Sequence, residues 1–181
     1  MINEVLSDAE LKMDQAVEHT INEFAGVRTG RANPGLLSRV SVDYYGTRTP
    51  LQQLASFTVP EARMLIVQPY DKGSIAAVER GIQEADLGLN PSNDGNIIRL
   101  AFPALTEERR RELIKVVRSL AEEGRVAIRN VRRHAKDAIE DEDVSEDDIY
   151  RAEEELQSLT DKHTAAIDEA LERKEEELLE V

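Results

Sequence analysis

The chain has 181 residues, which is enough for one or two domains that each bury a hydrophobic core. It contains no cysteine, so disulfides, thiolate nucleophiles and cysteine-ligated metal sites are excluded. No apolar run approaches the roughly 20 residues of a membrane helix, and the N-terminus lacks the apolar core of a signal peptide. We therefore expect a cytoplasmic protein that has no membrane partner.

The net charge of −14 is unevenly distributed along the chain. Residues 106–136 carry ten basic and five acidic side chains, a net of +5, whereas residues 137–181 carry four basic and nineteen acidic side chains, a net of −15. A polyanion would be repelled by most of this surface and attracted chiefly by residues 106–136. The low isoelectric point therefore does not exclude a nucleic-acid partner.

The N-terminal segment has the pattern of an amphipathic helix. Apolar residues recur at intervals of three and four from Ile2 to about Val27. The helix is predicted to end in the sequence RTGRANPG, residues 28–35, where two glycines and a proline permit a change of direction.

The pattern then changes to the alternation that is typical of short strands. It predicts one helix, from Ser74 as N-cap to Asp86, among four strands at 40–45, 54–59, 64–68 and 96–102. These elements predict a small β/α/β module.

Two more long helices follow the module. The first is capped by Thr106 and runs to about Ile139, and the second is capped by the sequence SEDD, residues 145–148. Three long amphipathic helices stabilise one another by side-by-side packing, so we expect an elongated antiparallel three-helix bundle and an α+β fold. The chain crosses between bundle and module twice, and both crossings are rich in glycine or proline. They predict a hinge formed by Gly30, Arg31, Ala32, Pro103, Ala104 and Leu105.

The helix that begins near Thr106 carries two stripes. Its predicted buried face contains Leu113, Val117, Leu120, Gly124, Ala127, Val131, Ala135 and Ala138. A basic row is predicted on nearly the opposite side and contains Arg111, Lys115, Arg118, Arg125, Arg129, Arg132 and Lys136.

Two interpretations of the basic row are open. Its arginines can pair with neighbouring acidic residues or with those of the acidic last helix, as in an ordinary salt-bridged bundle. A single continuous row is not needed for such pairs, however, and the planar guanidinium suits phosphate oxygens. Since few aromatic residues accompany the row, recognition of the backbone and shape of folded RNA is the favoured interpretation.

The sequence offers little support for an enzyme. The three histidines, His19, His134 and His163, are scattered without the spacing of metal ligands, which favours structural or surface positions. No glycine-rich phosphate loop follows a strand. Acidic runs such as residues 153–155 and 175–177 are typical of a solvated helix face. We therefore expect no catalytic residue, no metal and no cofactor.

Six short blocks point to a known family. They are Arg28-Thr29-Gly30-Arg31-Ala32-Asn33-Pro34, Asp43-Tyr44-Tyr45-Gly46, Pro50-Leu51-Gln52-Gln53-Leu54-Ala55, Asp86-Leu87-Gly88-Leu89-Asn90-Pro91, Leu105-Thr106-Glu107-Glu108-Arg109-Arg110 and Arg129-Asn130-Val131-Arg132-Arg133. In this order, and over the whole chain, they resemble bacterial ribosome recycling factor. The resemblance implies an L-shaped protein, similar in outline to transfer RNA, with a three-helix domain of residues 1–30 and 105–181 and a hinged β/α/β domain of residues 31–104.

The resemblance also implies a function. Such a factor binds the large ribosomal subunit near the vacant acceptor site after termination and splits the ribosome together with elongation factor G and GTP, without being an enzyme. We expect it to act as a monomer. The residues that match the family's contacts with ribosomal RNA are Arg110, Arg129, Arg132 and Arg133 on the bundle and Arg28 and Arg31 at the hinge. Arg118 and Arg125 extend the predicted RNA-binding row, and Arg132 is the residue most strongly expected to contact RNA. The alternative is a helical adaptor or chaperone-like protein that has no ribosome role.

One departure from the family pattern concerns the turn after Arg133. Eleven residues separate Arg133 from Ser145, a few fewer than is usual in the family. A deletion of about four residues removes about one helical turn, so the phase of the stripes is kept while the tip of the hairpin moves back by roughly 6 Å.

Overall fold

The computed structural model describes residues 1–180. In this range it contains four α-helices, which are α1 (Ile2–Ala25), α2 (Ile75–Glu84), α3 (Glu107–Glu140) and α4 (Glu146–Leu179). It also contains six β-strands, which are β1 (Ser41–Tyr44), β2 (Thr47–Pro50), β3 (Ala55–Glu61), β4 (Met64–Pro69), β5 (Pro91–Asn93) and β6 (Ile98–Ala101). The chain divides into two compact units, one formed by Met1–Thr29 with the chain from Thr106 onward, the other by Gly30–Leu105.

The first unit is a three-helix bundle in which α1, α3 and α4 all contact one another. Helix α3 runs antiparallel to α4, because Arg118 pairs with Glu175 while Arg125 pairs with Asp168. The predicted long helices are thus confirmed. Their largest fully buried side chains are Met13, Ile128, Ile139, Leu156, Ile167 and Leu178.

The predicted buried stripe of α3 is wrong in part. Ala121, Ile128 and Ile139 are buried, whereas Leu120 is half-buried and Ala138 is exposed. The reason is that α3 packs against two helices at once, so its buried face is wider than one stripe and is centred differently.

The three helices pack closely together at Gly124. A Cβ atom built on this residue would overlap the hydroxyl oxygen of Thr20 on α1 and would lie 2.9 Å from Ile167 Cδ1 on α4. Thr20 is itself buried, and its hydroxyl donates to the carbonyl of Ala16 at 2.8 Å. Only glycine therefore fits this position without a shift of the neighbouring helices.

A buried polar contact joins α1 to α4. The His163 side chain is 4% exposed, and its ring nitrogens lie 2.6 Å from Leu159 O and 2.6 Å from Asp14 Oδ1. His19 and His134 are exposed. His163 therefore has a structural role at the α1–α4 contact, as the helical spacing favours.

The second unit contains two antiparallel sheets and α2. One sheet is the β1–β2 hairpin, and the other has the strand order β3-β4-β6-β5. Helix α2 packs against β1, where Gly81 permits close approach: a Cβ atom there would lie 3.0 Å from Val42 Cγ2. The core of this unit contains Leu37, Val40, Val42, Leu51, Ala55, Leu65, Val67, Val78, Ile82, Ile98, Leu100 and Phe102.

The four predicted strands and the helix are confirmed, but the description as a β/α/β module is incomplete. Strands β2 and β5 are not predicted, because the sequences TRTP and PSN lack an apolar alternation and are mostly exposed. Ser74 precedes α2, yet its hydroxyl donates to the carbonyl of Asp71 at 2.7 Å and does not cap the helix. A local hydrogen bond to an upstream carbonyl replaces the predicted cap.

Candidate nucleic-acid interface

Helix α3, which has 34 residues, carries six of the eight predicted RNA-binding arginines. Its start is fixed by Thr106, whose Oγ1 accepts a hydrogen bond from the Arg109 backbone N–H at 3.1 Å. The negative charges of Glu107 and Glu108 in the first turn stabilise the helix by interacting with the positive end of its dipole. The helix is therefore a continuous support for side chains that are spaced by whole turns.

Two of the arginines form ion pairs with α4. Arg118 Nε donates to Glu175 Oε1 at 2.6 Å. Arg125 donates from Nε at 2.9 Å and from Nη2 at 2.6 Å to Asp168 Oδ1, and its side chain is only 23% exposed. The hydrogen bonds and charges of these carboxylates raise the pKa of both guanidinium groups. Arg118 and Arg125 thus join α3 to α4.

Glu122 lies between Arg125 and Arg129 on α3. It accepts from Arg129 Nη2 at 2.5 Å and from Arg125 Nη1 at 3.2 Å. The hydrogen bond from Arg129, followed by that from Arg125, lowers the pKa of Glu122. Asp168, Arg125, Glu122 and Arg129 therefore form one chain of alternating charges.

Arg132 is held differently. Its Nη1 donates to Gln157 Oε1 on α4 at 3.2 Å, and Gln157 Nε2 in turn donates to Asp161 Oδ1 at 2.9 Å. Among the described residues, 1–180, Arg132 forms no ion pair with a carboxylate.

A surface cleft of about 620 Å³ lies between α3 and α4 at this level. Its basic lining comes entirely from α3 and consists of Arg129, Arg132, Arg133 and Lys136. Its floor includes Leu156 and Gln157 of α4, and three acidic residues also line it, namely Asp137, Glu140 and Glu153. We refer to this feature as the arginine cleft.

The other predicted RNA-binding residues lie outside the arginine cleft. Arg110 is half-buried near the start of α3, and Arg28 and Arg31 are exposed. In the part of the chain that the structure describes, Arg110 and Arg133 have neither a hydrogen bond nor an ion pair from their side chains. Both guanidinium groups therefore retain all their donors.

The helical pattern predicts that the basic row lies nearly opposite the buried face of α3. The structure shows that it does not. Arg125 and Arg132 are half-buried beside α4. At 100° per residue, Arg125 and Arg132 lie roughly 75° and 55° from the centre of the buried face, so both still reach α4, which covers one flank of α3. The interpretation in which the basic residues pair with neighbouring acids thus describes most of the row, namely Arg111, Arg118, Arg125, Arg129 and Lys136. Arg132 and Arg133 keep their charge unpaired in the described residues.

Gln157 and Asp161 were not identified from the sequence. Their mutual spacing of four residues on one helix is a local signal for a hydrogen bond. The contact between Gln157 and Arg132, however, joins residues 25 positions apart, and no local sequence pattern predicts it.

The two predicted hinge segments lie side by side at the boundary of the second unit. Gly30 has a φ of +78°, and a Cβ atom there would lie 3.2 Å from Leu105 Cγ and 3.5 Å from Pro103 O. Both segments are attached to the turn between β3 and β4, since Ala32 N–H donates to Ala62 O at 2.7 Å and Phe102 N–H donates to Arg63 O at 2.8 Å. Glycine is required at position 30 by both its conformation and its neighbours.

Residues 1–180 contain neither a metal-binding cluster nor a membrane-spanning helix. No group of three or more His, Cys, Asp and Glu side chains has the arrangement of a metal site. None of the helices is both long enough and apolar enough to cross a bilayer.

Comparison with known proteins gives consistent matches. A family model described as "Ribosome recycling factor" matches residues 20–179. Proteins named ribosome-recycling factor from Acidothermus cellulolyticus and Thermobifida fusca are 58% and 56% identical to this chain, in each case over 100% of both chains. Both alignments extend over 185 positions, four more than the 181 residues of this chain.

Solved structures give the same result. A solution structure of ribosome recycling factor matches with a TM-score of 0.80 at 45% identity and covers 99% of this chain and 98% of its own. A second match, with a TM-score of 0.65 at 44% identity, covers 99% of this chain and 100% of its own. It belongs to models of the T. thermophilus ribosome recycling factor and the E. coli elongation factor G bound to the E. coli post-termination complex.

Proposed function

Because this chain belongs to the ribosome recycling factor family, we propose that it recycles ribosomes after translation termination. It binds the large subunit near the vacant acceptor site and splits the post-termination complex together with elongation factor G and GTP. A solved relative of 44% identity is found with elongation factor G on such a complex. GTP hydrolysis belongs to elongation factor G, so this chain acts as a binding factor in the cytoplasm, as a monomer and without a cofactor.

The observation that carries the proposal at residue level is the arginine cleft. It places Arg129, Arg132 and Arg133 on one exposed surface of a protein whose net charge is −14. Guanidinium groups bind phosphate oxygens through paired N–H donors, and this recognition does not depend on base sequence. We assign these three residues to contact with large-subunit ribosomal RNA.

The remaining predicted residues extend this interface. Arg110 lies about 33 Å from Arg132 along α3, at the 1.5 Å rise per residue of an α-helix, so it reaches a separate stretch of RNA. Arg118 and Arg125 belong to the same row. Like Arg129, each must exchange a carboxylate for a phosphate, which makes all three weaker contributors than Arg132 and Arg133. Arg28 and Arg31 are proposed to contact RNA next to the hinge.

The hinge is proposed at Gly30–Ala32 and Pro103–Leu105, the two segments that connect the bundle to the inserted domain. Their proximity supports it, since Gly30 lies against Leu105 and bending at one segment requires bending at the other. The bundle acts as a stiff lever because its three helices are packed along their length. Elongation factor G then pushes the hinged domain while the arginines hold the bundle.

The salt dependence of ribosome binding tests this proposal. Phosphate contacts by the four bundle arginines Arg110, Arg129, Arg132 and Arg133 alone give a slope of about −3 for log affinity against log salt concentration, since each contact contributes about 0.7 to 0.9. The affinity of the purified protein for large ribosomal subunits is therefore expected to fall by a factor of about 60 or more between 50 and 200 mM salt. Filter binding or light scattering measures it.

The adaptor alternative predicts a different result. A protein that uses the bundle for contacts with other proteins has no affinity for large-subunit RNA. Absence of binding, or an affinity that does not change with salt concentration, would therefore contradict the RNA-binding assignment.

A further inference from the structure

The arginines of α3 that lie beside α4 donate hydrogen bonds to different kinds of acceptor on α4. Arg118 and Arg125 donate to carboxylates, those of Glu175 and Asp168, whereas Arg132 donates to the neutral amide oxygen of Gln157. We infer that Gln157 is a positioning residue for Arg132, which it holds in the arginine cleft without neutralising its charge. The inference rests on the proposed function and states how this arginine is presented to RNA.

The orientation of the Gln157 amide follows from its two neighbours. A guanidinium group has only donors, so the amide oxygen faces Arg132. The Asp161 carboxylate accepts, and it lies 2.9 Å from the amide nitrogen. Reversing the amide would place donor against donor and acceptor against acceptor, so Asp161 fixes the orientation in which Gln157 accepts from Arg132.

This arrangement leaves most of the Arg132 binding capacity unused. The guanidinium group has five N–H donors, and the structure uses one of them, on Nη1, for Gln157. The other donors and the full positive charge remain for phosphate oxygens. Arg129, in contrast, already donates to Glu122 at 2.5 Å.

The acidic residues of the arginine cleft do not cancel the charge of Arg132 by direct contact. Asp137, Glu140 and Glu153 line the cleft, but within residues 1–180 none of them lies within 4.0 Å of a charged nitrogen of Arg132. The neutral Gln157 is therefore the group that separates Arg132 from the acidic surface of α4. A carboxylate at position 157 would convert Arg132 into a paired arginine like Arg118.

The substitution Gln157→Glu tests the inference because it changes one side-chain group and keeps the length and helix propensity of the residue. We expect the affinity for purified large ribosomal subunits to fall about tenfold at 100 mM salt. The slope of log affinity against log salt concentration is expected to become less negative by about 0.7 to 0.9, the contribution of one phosphate contact. The melting temperature is expected to change little, because the new ion pair with Arg132 offsets the lost hydrogen bond to Asp161 and the repulsion between the two carboxylates.

Two further variants separate positioning from general charge effects. Ser158→Glu adds the same charge at the next exposed position, outside the arginine cleft, and is expected to change affinity less than twofold. Gln157→Leu removes the acceptor without adding charge. It is expected to lower affinity about threefold with the salt slope unchanged, because the Arg132 side chain must then be ordered when RNA binds.

The outcomes are distinguishable. If Gln157→Glu and Ser158→Glu weaken binding equally, the effect is one of overall charge and the inference about Gln157 is wrong, while the proposed function stands. If Gln157→Glu lowers the melting temperature and the affinity together, Gln157 has only a structural role. If the native chain does not bind large subunits at all, the proposed function fails and the inference fails with it.

Discussion

Replacement of Arg132 by glutamate is expected to lower the affinity for the ribosome by about a hundredfold. A hydrogen bond to a charged group contributes about 1.5 to 3 kcal/mol, and 2.8 kcal/mol corresponds to a hundredfold change in affinity. The new carboxylate also repels the phosphate that Arg132 is proposed to contact. Equilibrium binding to large ribosomal subunits at constant salt concentration measures this change.

The fold is expected to tolerate this substitution. Arg132 makes one hydrogen bond to an exposed side chain, Gln157, and surface substitutions of this kind change the free energy of unfolding by about 0.5 kcal/mol or less. Chemical denaturation of the variant is the accompanying measurement. A large loss of affinity at constant stability locates the effect at the interface.

Arg173→Glu is the matched control. It makes the same change of net charge on an exposed position of α4, about 24 Å from Gln157 along the helix. Its affinity is expected to stay within about twofold of the native value, because the Debye length at 0.1 M salt is about 10 Å. Equal losses for Arg132→Glu and Arg173→Glu would show that overall charge, not the arginine cleft, determines binding.

Replacement of Gly124 by alanine is expected to destabilise the bundle by about 2 kcal/mol. The added methyl group would overlap Thr20 Oγ1 and lie 2.9 Å from Ile167 Cδ1, so α1 or α4 has to move. Overpacking of this kind costs about 1 to 3 kcal/mol, and this cost exceeds the gain of about 1 kcal/mol that alanine brings to a helix interior when the neighbouring helices cannot relax. Urea denaturation measures the difference.

The same substitution at Gly26 provides the control. Gly26 ends α1 in right-handed helical conformation, and a Cβ atom there would meet only Glu23 O, at 3.4 Å. Gly26→Ala is therefore expected to leave stability nearly unchanged. Adding Thr20→Ala to Gly124→Ala removes the worst overlap and is expected to recover about half of the lost stability. A double variant no more stable than Gly124→Ala alone would contradict the packing explanation.

The helices were predictable because their signals are local. Thr106 and Ser145 occupy N-cap positions with acidic residues in the following turn, and both hydroxyls accept hydrogen bonds from backbone N–H groups in the structure. Apolar spacing then gives the length of each helix. The centre of the buried face of α3 was less predictable, because Ile128 and Ile139 are buried by the combined contact with two other helices, which a single helical stripe does not describe.

The strands show the same limit. β1, β4 and β6 contain buried apolar residues that alternate with less buried ones, and β3 contributes Ala55 and the half-buried Phe57 to the core. The sequence predicts all four strands. β2 and β5 are short and mostly exposed, and they exist because they pair with β1 and β6. Each partner is the neighbouring strand in the chain, but TRTP and PSN lack the apolar alternation by which strands are recognised, so these two strands required the structure.

The candidate site was predictable in its composition but not in its electrostatics. The concentration of positive charge on α3, and Arg129, Arg132 and Arg133 within it, can be read from the sequence. Which arginine meets a carboxylate and which meets an amide depends on the α3–α4 register. The assignment of these arginines to ribosomal RNA stays a prediction that the binding experiments above test.

The most direct test of the central claim is a splitting assay on post-termination ribosomes with elongation factor G and GTP, followed by light scattering. The native chain is expected to separate the subunits, and Arg132→Glu at the same concentration is expected to leave most particles joined. If the native chain leaves the particles joined while elongation factor G and GTP are active with another recycling factor, the proposed function is contradicted.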